Sequence, residues 1–449
     1  MSETALVAGL GRSGTAVSRH LVERGGSVVA FDDDPGDASR RAAAELGVEL
    51  VERPDEAQLA AMVERSDVVV PSPGVPLRHA VFRLAGELAV PVRSEVELAY
   101  RRSRHPIVAV TGTNGKTTVT ALVTEMLTAS GLRAVAGGNI GLPLCDAVAG
   151  DVDVVVAEVS SFQLWWTDSF RPRVAVWLNL AEDHLDWHHD LEGYVAAKAR
   201  IWAHQLAGDL AVVNADDRVV AQQATRAPGR VETFGTGEAA TPFGHGAVDW
   251  RLEGGDLWGP PGRLLALAEL RRALPHDVAN ALAASAAAVA AGGSLDGVRT
   301  ALRTFGGLPH RLALVAEAGG VRWYDDSKAT NPHAALAALS AFESVVLIAG
   351  GRNKGLDLAI LAKGAERVRA VVALGEAGFE VEAAFAGLRP VTLALTMDDA
   401  VAAAAAAARP GDTVLLSPGC ASYDQYRSYA ERGDDFVRAV RKLTGEATA

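Results

Sequence analysis

Two cysteines, Cys145 and Cys420, are all that 449 residues contain, and they stand far apart. That excludes a disulfide framework and fits a reducing compartment. Long hydrophobic runs are missing too. No stretch of about 18 strongly apolar residues occurs, and the alanine runs at 281–291 and 402–408 are too weakly hydrophobic to span a bilayer. Alanine is the best helix former, so these runs read as helix. The sequence does not open with a basic segment, an apolar run and a cleavage site, so a cytoplasmic protein with no membrane partner is expected. Basic tracts are lacking as well. Lys and Arg number 43 against 55 Asp and Glu, a net charge of −12, which argues against a nucleic-acid partner. Length allows two to four domains of roughly 100–200 residues. A hydrophobic content of 49% can fill large cores.

What is present centres on Val108-Ala-Val-Thr-Gly-Thr-Asn-Gly-Lys-Thr-Thr118. It reads as a hydrophobic strand, a glycine-punctuated turn, and a helix opened by Lys116, Thr117 and Thr118 that runs to about Ser130. Such a turn aims backbone N–H groups at one spot, and the helix N-terminus adds positive potential. Lys116 supplies a point charge for a β- or γ-phosphate, and a threonine hydroxyl can ligate Mg²⁺. The usual phosphate loop has its first glycine where this chain has Val110; the glycines here are Gly112 and Gly115. The stretch is therefore a shortened variant. An incidental Gly/Thr turn is the plain alternative, and Lys-Thr-Thr at the helix start argues against it. Nucleoside triphosphate binding is expected.

The chain begins with a buried strand, residues 5–11, entering the turn Gly9-x-Gly11-x-x-Gly14. A helix from about Thr15 to Arg24 follows, then the strand Ser27–Phe31, ending in Asp32-Asp33-Asp34. Alone this resembles a dinucleotide fingerprint, but the same geometry holds any diphosphate at a helix N-terminus. The strand 67–70 runs into Pro71-Ser72-Pro73-Gly74, which is either a ligand loop at a strand's carboxyl end or a simple rigid turn. Charge clusters and Pro106 break the pattern near residue 104, and Gly306-Gly-Leu-Pro309 breaks it near 307. The expected domains are 1–103, 104–307 and 308–449. Strands and helices alternate in each, the mark of an α/β protein with mainly parallel sheets. Residues 225–275 read as short strands and loops. No tandem repeat is found.

Glu158 and His184 follow predicted strands of the same domain as the phosphate loop. With the Thr117 hydroxyl they can converge on Mg²⁺ bound to ATP; a solvated loop residue is the plain reading of His184. The run Glu182-Asp-His-x-Asp-x-His-His-Asp190 is also a zinc candidate, but it lacks cysteine and the helical His-x-x-x-His spacing. A predicted helix from Leu191 to Gln205 places Tyr194, Lys198 and Trp202 on one face. From the residues alone, Lys198 reads as a surface lysine whose stem packs beside Tyr194 and Trp202. Tyr324-Asp-Asp-Ser-Lys-Ala-Thr-Asn-Pro332 precedes a predicted helix and suits a polyfunctional anion, or is an ordinary helix start capped by Thr330 or Asn331. Lys354 in a glycine-rich loop and Ser422 after Ser417-Pro-Gly-Cys-Ala are further anion candidates.

Together these motifs resemble the Mur ligase family. The matching pieces are Gly9-Leu-Gly-Arg-Ser-Gly14, Ser72-Pro-Gly74, Gly112–Thr118, Gly138-Asn-Ile-Gly141, Glu158-Val-Ser-Ser-Phe-Gln-Leu164, Glu182-Asp-His-Leu-Asp186, Ala196-Ala-Lys198, Leu308-Pro-His-Arg311, Asp326-Ser-Lys-Ala-Thr-Asn331 and Leu416–Ser422. The family's phosphate loop has the shortened form. Asp326–Asn331 looks like the member that adds D-glutamate to UDP-N-acetylmuramoyl-L-alanine in cell-wall precursor synthesis. The resemblance implies three α/β domains: Rossmann-like, central phosphate-loop ATPase type, and Rossmann-like. It implies that the UDP-sugar contacts Arg12, Ser13, Asp32, Asp33, Ser72, Gly74, Asn139, Ser160 and Gln163. ATP would meet Gly112, Thr113, Asn114, Gly115, Lys116, Thr117, Thr118, Asn280, Arg311 and Asp326. D-glutamate would meet Lys328, Thr330, Lys354, Ser422 and Tyr429. Two Mg²⁺ ions would be held by Thr117, Glu158, His184 and a carbamylated Lys198, and with Lys116 the last three would be the catalytic set. The partners implied are small molecules, and a monomer is expected. His276-Asp277 stands where many members have His-Asn, and Tyr429 where several have Phe. A folate polyglutamylating ligase, a nicotinamide-dependent oxidoreductase built on Gly9–Gly14, and a non-catalytic UDP-sugar sensor are the rival readings.

Overall fold

Short runs of valine, alanine and isoleucine form strands buried on both faces, as parallel sheets covered by helices require. A computed structural model describes residues 3–237 and 248–445, the side chains of Leu185 and Asp186 left aside. The first sheet contains β1 (Thr4–Ala8), β2 (Ser27–Asp32), β3 (Glu49–Glu52) and β4 (Val68–Pro71), all parallel, in the order β3-β2-β1-β4.

The second sheet contains β5 (Ile107–Thr111), β6 (Ala134–Gly138), β7 (Val154–Glu158), β8 (Val174–Trp177), β9 (Leu210–Asn214), β10 (Arg230–Gly235), β11 (Trp250–Glu253), β12 (Asp256–Gly259) and β13 (Gly262–Ala266). Its order is β13-β12-β11-β10-β9-β8-β5-β7-β6. Pairing is parallel from β6 to β11 and antiparallel through β11, β12 and β13. The third sheet holds β14 (Ala313–Ala318), β15 (Val321–Asp325), β16 (Val345–Gly350), β17 (Val368–Leu374), β18 (Val391–Ala394) and β19 (Thr413–Gly419). They lie in the order β14-β15-β19-β16-β17-β18, parallel except for the β14–β15 hairpin.

The chain divides into two compact units. One runs to Phe305 apart from Ala181–Asp183 and Leu274–His276; the other holds those two segments and the chain from Gly306 onward. The first unit carries two sheets that share a hydrophobic cluster, in which Val7, Val17 and Val70 join Ala109, Val155 and Phe170. Among the described residues no helix is long and apolar enough to cross a membrane.

Several local expectations are corrected. The first helix spans Arg12–Val22, starting earlier than Thr15 because extended Gly11 already ends the turn. The helix expected to reach Gln205 stops at Ala199. Trp202 therefore lies in the turns beyond it and does not share a helix face with Tyr194 and Lys198; its ring packs 5.1 Å from that of Trp177. Ser417-Pro-Gly419, expected as loop, completes β19. Residues 225–275 do contain short strands, β10 to β13, while 238–247 of that stretch lie outside the described residues.

Candidate functional site

Ligands of open parallel sheets collect at the carboxyl ends of the strands. β5 ends there in the phosphate-loop sequence. Gly112 (φ +156°) and Gly115 (φ +83°) adopt backbone angles that side chains resist. A Cβ on Gly115 would also meet Asn280 Oδ1 at 2.8 Å, so the helix Pro275–Ala290 brings Asn280 against the loop. Asn179, just beyond β8, braces the loop from the other side. Its Oδ1 accepts from Asn114 N at 2.8 Å, and its Nδ2 donates to the Asn114 carbonyl at 3.1 Å. Gly115 caps the helix Lys116–Ala129, whose first turn carries Thr117 and Thr118. Lys116 Nζ donates back to the carbonyls of Gly112 (2.9 Å) and Thr113 (2.8 Å).

Register brings the next residues to this loop. Glu158 closes β7 opposite Val110 of β5. It is 2% exposed; Oε1 accepts from Asn139 Nδ2 at 2.9 Å, and Oε2 has no hydrogen-bond partner among the described residues. Gly138, with φ +97°, is held so close that a Cβ would strike the Glu158 carbonyl at 2.4 Å. His184 precedes the short helix Leu185–His188 with a left-handed backbone (φ +56°), an arrangement that costs roughly 1–3 kcal/mol and is typical of functional sites. Its ring lies edge-on to Phe162, 4.8 Å between centroids.

Lys198 is 1% exposed, which overturns its reading as a surface lysine. Nζ donates to the Gly112 carbonyl at 2.8 Å and lies 4.7 Å from the centre of the Tyr194 ring. The Tyr194 hydroxyl is 3.2 Å from Thr113 Oγ1. Both lysines thus converge on one glycine carbonyl. His188, named in the sequence only as part of the zinc-candidate run, is buried beside them with Nε2 at 2.8 Å from Ser161 Oγ. Burial first, then the charges of His184 and Lys198, lowers its pKa to about 4, so it is neutral at physiological pH. Among the described residues no three His, Cys, Asp or Glu side chains gather as a metal cluster, and the Asp186 side chain of the Glu182–Asp190 run lies outside them.

Of the residues expected at the UDP-sugar, Arg12, Ser13, Asp32, Asp33, Ser72 and Gly74 end or follow strands of the first sheet, and Asn139, Ser160 and Gln163 follow β6 and β7 of the second. Ser72 Oγ donates to the Gly9 carbonyl at 2.7 Å, and a Cβ on Gly14 would overlap that same carbonyl. Asp32 Oδ2 accepts from Leu10 N at 3.1 Å, so part of its carboxylate pins the glycine turn itself. Asp33 meets His79 Nε2 at 3.1 Å. Arg12 donates to the Gly141 carbonyl across the two sheets. Gly74 follows in the loop after β4. Ser160 and Gln163 form a capping box on the helix Ser161–Trp165. Glu95 was missed. It is 2% exposed, and burial pushes its pKa up to about 7, against the pull of the Cys145 and Leu144 N–H groups and the Ser13 hydroxyl.

The remaining expected residues belong to the second unit. Asp326 follows β15; its Oδ2 accepts from Ser417 Oγ at 2.8 Å. Burial raises its pKa to about 7, opposed by the Ser417 hydroxyl and then by Arg311. Asn331 caps the helix Pro332–Leu339 by accepting from Ala334 N, so the capped-start reading holds for this residue. Lys328 Nζ sits 3.7 Å above the Tyr429 ring. Thr330 is half-buried, Ser422 is buried, and Lys354 is exposed. The loops of the last two are joined, because Arg352 and Ala421 exchange backbone hydrogen bonds of 2.8 and 3.0 Å.

Arg432, also missed, ties these pieces together. Its guanidinium, 2% exposed, donates to Ser327 O (2.8 Å), Ser327 Oγ (2.9 Å), Cys420 O (3.2 Å) and Ala421 O (3.3 Å). Burial lowers its pKa to about 10. Beside it His310 Nδ1 meets Asp325 Oδ2 at 2.6 Å. In sequence Glu-Arg-Gly-Asp-Asp reads as a solvated helix face, so no signal marked Arg432.

A family model for the Mur ligase middle domain matches residues 110–288, and one for the Mur ligase glutamate ligase domain matches 310–420. The UDP-N-acetylmuramoylalanine–D-glutamate ligase of Frankia casuarinae is 46% identical over 98% of this chain and 94% of its own. The chain belongs to the Mur ligase family. The enzyme of the same name from Pelotomaculum thermopropionicum is 44% identical, covering 98% of this Mur ligase and 97% of that relative. A solved UDP-N-acetylmuramate–alanine ligase from Thermotoga maritima superposes with a TM-score of 0.60 at 20% identity, over 99% of this chain and 100% of that one, which supports the fold. As a Mur ligase the protein is an ATP-dependent α/β enzyme acting on small molecules, and the nicotinamide reading of Gly9–Gly14 falls.

Proposed function

We propose that this Mur ligase joins D-glutamate to UDP-N-acetylmuramoyl-L-alanine, releasing ADP and phosphate, as a cytoplasmic monomer in peptidoglycan precursor synthesis. The observation that carries the reading is 46% identity along nearly the whole chain to a ligase of that name. The three domains are 1–103 for the UDP-sugar, 104–307 for ATP and 308–449 for the amino acid.

The alanyl carboxylate attacks the γ-phosphate of ATP, forming an acyl phosphate and ADP. The amine of D-glutamate then attacks the acyl carbon, loses a proton, and phosphate leaves. Two anions meet in the first step, so preorganised positive groups lower its barrier. Lys116 and the N–H groups of 112–118 serve that role. Lys116 exchanges the carbonyls of its own loop for phosphate oxygens. Asn280, Arg311 and Asp326 complete the ATP contacts. Arg12, Ser13, Asp32, Asp33, Ser72, Gly74, Asn139, Ser160 and Gln163 hold the sugar nucleotide. Lys328, Thr330, Lys354, Ser422 and Tyr429 hold D-glutamate.

The donor set fits Mg²⁺. Glu158 presents a buried carboxylate oxygen without a partner, and Mg²⁺ bound to a nucleotide takes only one or two protein carboxylates beside phosphate and water. Thr117, Glu158, His184 and a carbamylated Lys198 would hold two such ions. The metal supplies neutralising charge to the phosphates. Addition of CO₂ to the Lys198 amine once it has given up its proton, with release of a second proton, would make it an anionic ligand.

Phosphate release from ATP tests the reading, measured with UDP-N-acetylmuramoyl-L-alanine and D-glutamate, L-glutamate or a panel of amino acids. Release that requires the sugar nucleotide and D-glutamate together is expected. Release with another amino acid, or with a folate, would move the specificity within the ligase class.

A further inference from the structure

Glu95 and Gln163, which border the cleft between the loop after β4 and the helix Ser161–Trp165, each carry a buried polar atom with no hydrogen-bond partner among the described residues. Ser72, Val75, Trp166 and Trp187 complete its walls, which as they stand leave room for about one water molecule. Glu95 Oε1 accepts from Cys145 N at 3.2 Å, and Oε2 has no partner. Gln163 Oε1 lies 3.0 Å from both Ser160 N and Ser160 Oγ. A backbone N–H only donates, so the Gln163 amide has one orientation. Its Nε2, also buried and unpartnered, is therefore a donor.

We propose that Glu95 and Gln163 are an acceptor–donor pair that receives a secondary amide of the sugar-nucleotide substrate, N–H to Glu95 Oε2 and carbonyl to Gln163 Nε2. The inference rests on the substrate proposed above, whose name contains two such amides: the N-acetyl group and the muramoyl–alanine bond. A carboxylate in this cleft would oppose Glu95, and an amine would leave Gln163 unpaired. A neutral amide pairs both, and Val75, Trp166 and Trp187 give its apolar flank a wall. Sites built around unpaired polar groups reject ligands that cannot pair them. Both atoms are shut off from solvent, so the cleft widens to admit the amide. Widening breaks no hydrogen bond of either atom. A 3.4 Å contact from Trp187 Nε1 to the Val75 carbonyl and the 4.8 Å stack of Phe82 on Trp166 hold the cleft closed.

Glu95→Gln reverses the acceptor. Its oxygen stays on Cys145 N–H, and its amino group faces the substrate N–H. Steady-state kinetics of the full chain would use three sugar nucleotides: the natural one, one with a free amine in place of the acetamido group, and one with an ester in place of the muramoyl–alanine amide. In Glu95→Gln the KM for the natural substrate is expected to rise about tenfold or more, with kcat and the KM values for ATP and D-glutamate within about twofold. Wild type is expected to reject one of the two analogues, and Glu95→Gln to lose that discrimination; the analogue concerned identifies the amide. Should Glu95→Gln not fold, Gln163→Leu is expected to raise the KM for the natural sugar nucleotide in the same way, because it removes the donor to the amide carbonyl. Unchanged KM and unchanged discrimination, beside normal wild-type turnover, overturn the inference alone. No wild-type turnover of the natural sugar nucleotide overturns the substrate reading and this inference with it.

Discussion

Lys198 owes its chemistry to where the fold buries it. A lysine that is 1% exposed, with Nζ on a glycine carbonyl of the phosphate loop, is committed to that loop rather than to solvent. Lys198→Ala is expected to lose most activity, and short carboxylic acids to restore part of it by taking the carbamate's place; the check is turnover with and without added acetate. Full activity of the variant would make Lys198 a packing residue only.

Asp326 gives a second expectation, about stability. Burial lifts its pKa to about 7, above the usual carboxylate value, so the folded state keeps a proton that the unfolded chain releases. Stability therefore falls as pH rises from about 4 to about 7 and is flat on either side. Asparagine mimics the protonated form. Asp326→Asn should raise the melting temperature at pH 8, by up to roughly 4 kcal/mol of stability, and leave it nearly unchanged at pH 4. A pH-independent difference would mean that Asp326 titrates alike in the folded and the unfolded chain.

Helix Tyr429–Thr444 shows how an element organises residues that belong to other strands. Arg432 fixes the chain after β15 and the chain after β19, and Gly433 leaves room for the His310–Asp325 pair. A Cβ at 433 would meet His310 Nδ1 at 2.2 Å and Asp325 Oδ2 at 2.8 Å. Gly433→Ala should therefore cost about 2–4 kcal/mol, read by thermal unfolding, with a larger rise in KM for D-glutamate than for ATP. Equal effects on both would place the damage outside the amino-acid loops.

Much of this architecture was legible in the sequence, because valine runs mark buried strands and the phosphate loop marks one strand's end. Glu158 was legible as a carboxylate at a strand's end, whereas Asn139 and Lys198 were legible only through resemblance, since their meaning depends on strand pairing and on burial. Arg432 and Glu95 were not legible. Each is a polar residue in a polar run, and only packing from distant segments desolvates it. The helix after Leu191 was overextended because its apolar spacing continues past Ala199 while its backbone does not.

At the scale of the whole molecule, the hydrophobic clusters divide unequally. The first two sheets share one cluster, whereas the third sheet's clusters, built on Val345, Leu347, Leu415, Trp323 and Phe436, draw only on the second unit. Separate cores unfold as separate cooperative transitions. Calorimetry is therefore expected to show two, the larger belonging to the unit with the phosphate loop. A ligand that binds only the folded state adds stability by mass action, about 2.7 kcal/mol at a hundred times its Kd. ATP analogue at that level should raise the larger transition by several degrees. Lys116→Ala should abolish most of that rise, because the charge that meets the phosphates is gone while the fold around it stays. A single transition, moved as a whole by nucleotide, would show that the two units unfold together. A rise that survives Lys116→Ala would shift nucleotide affinity to the backbone N–H groups of residues 112–118.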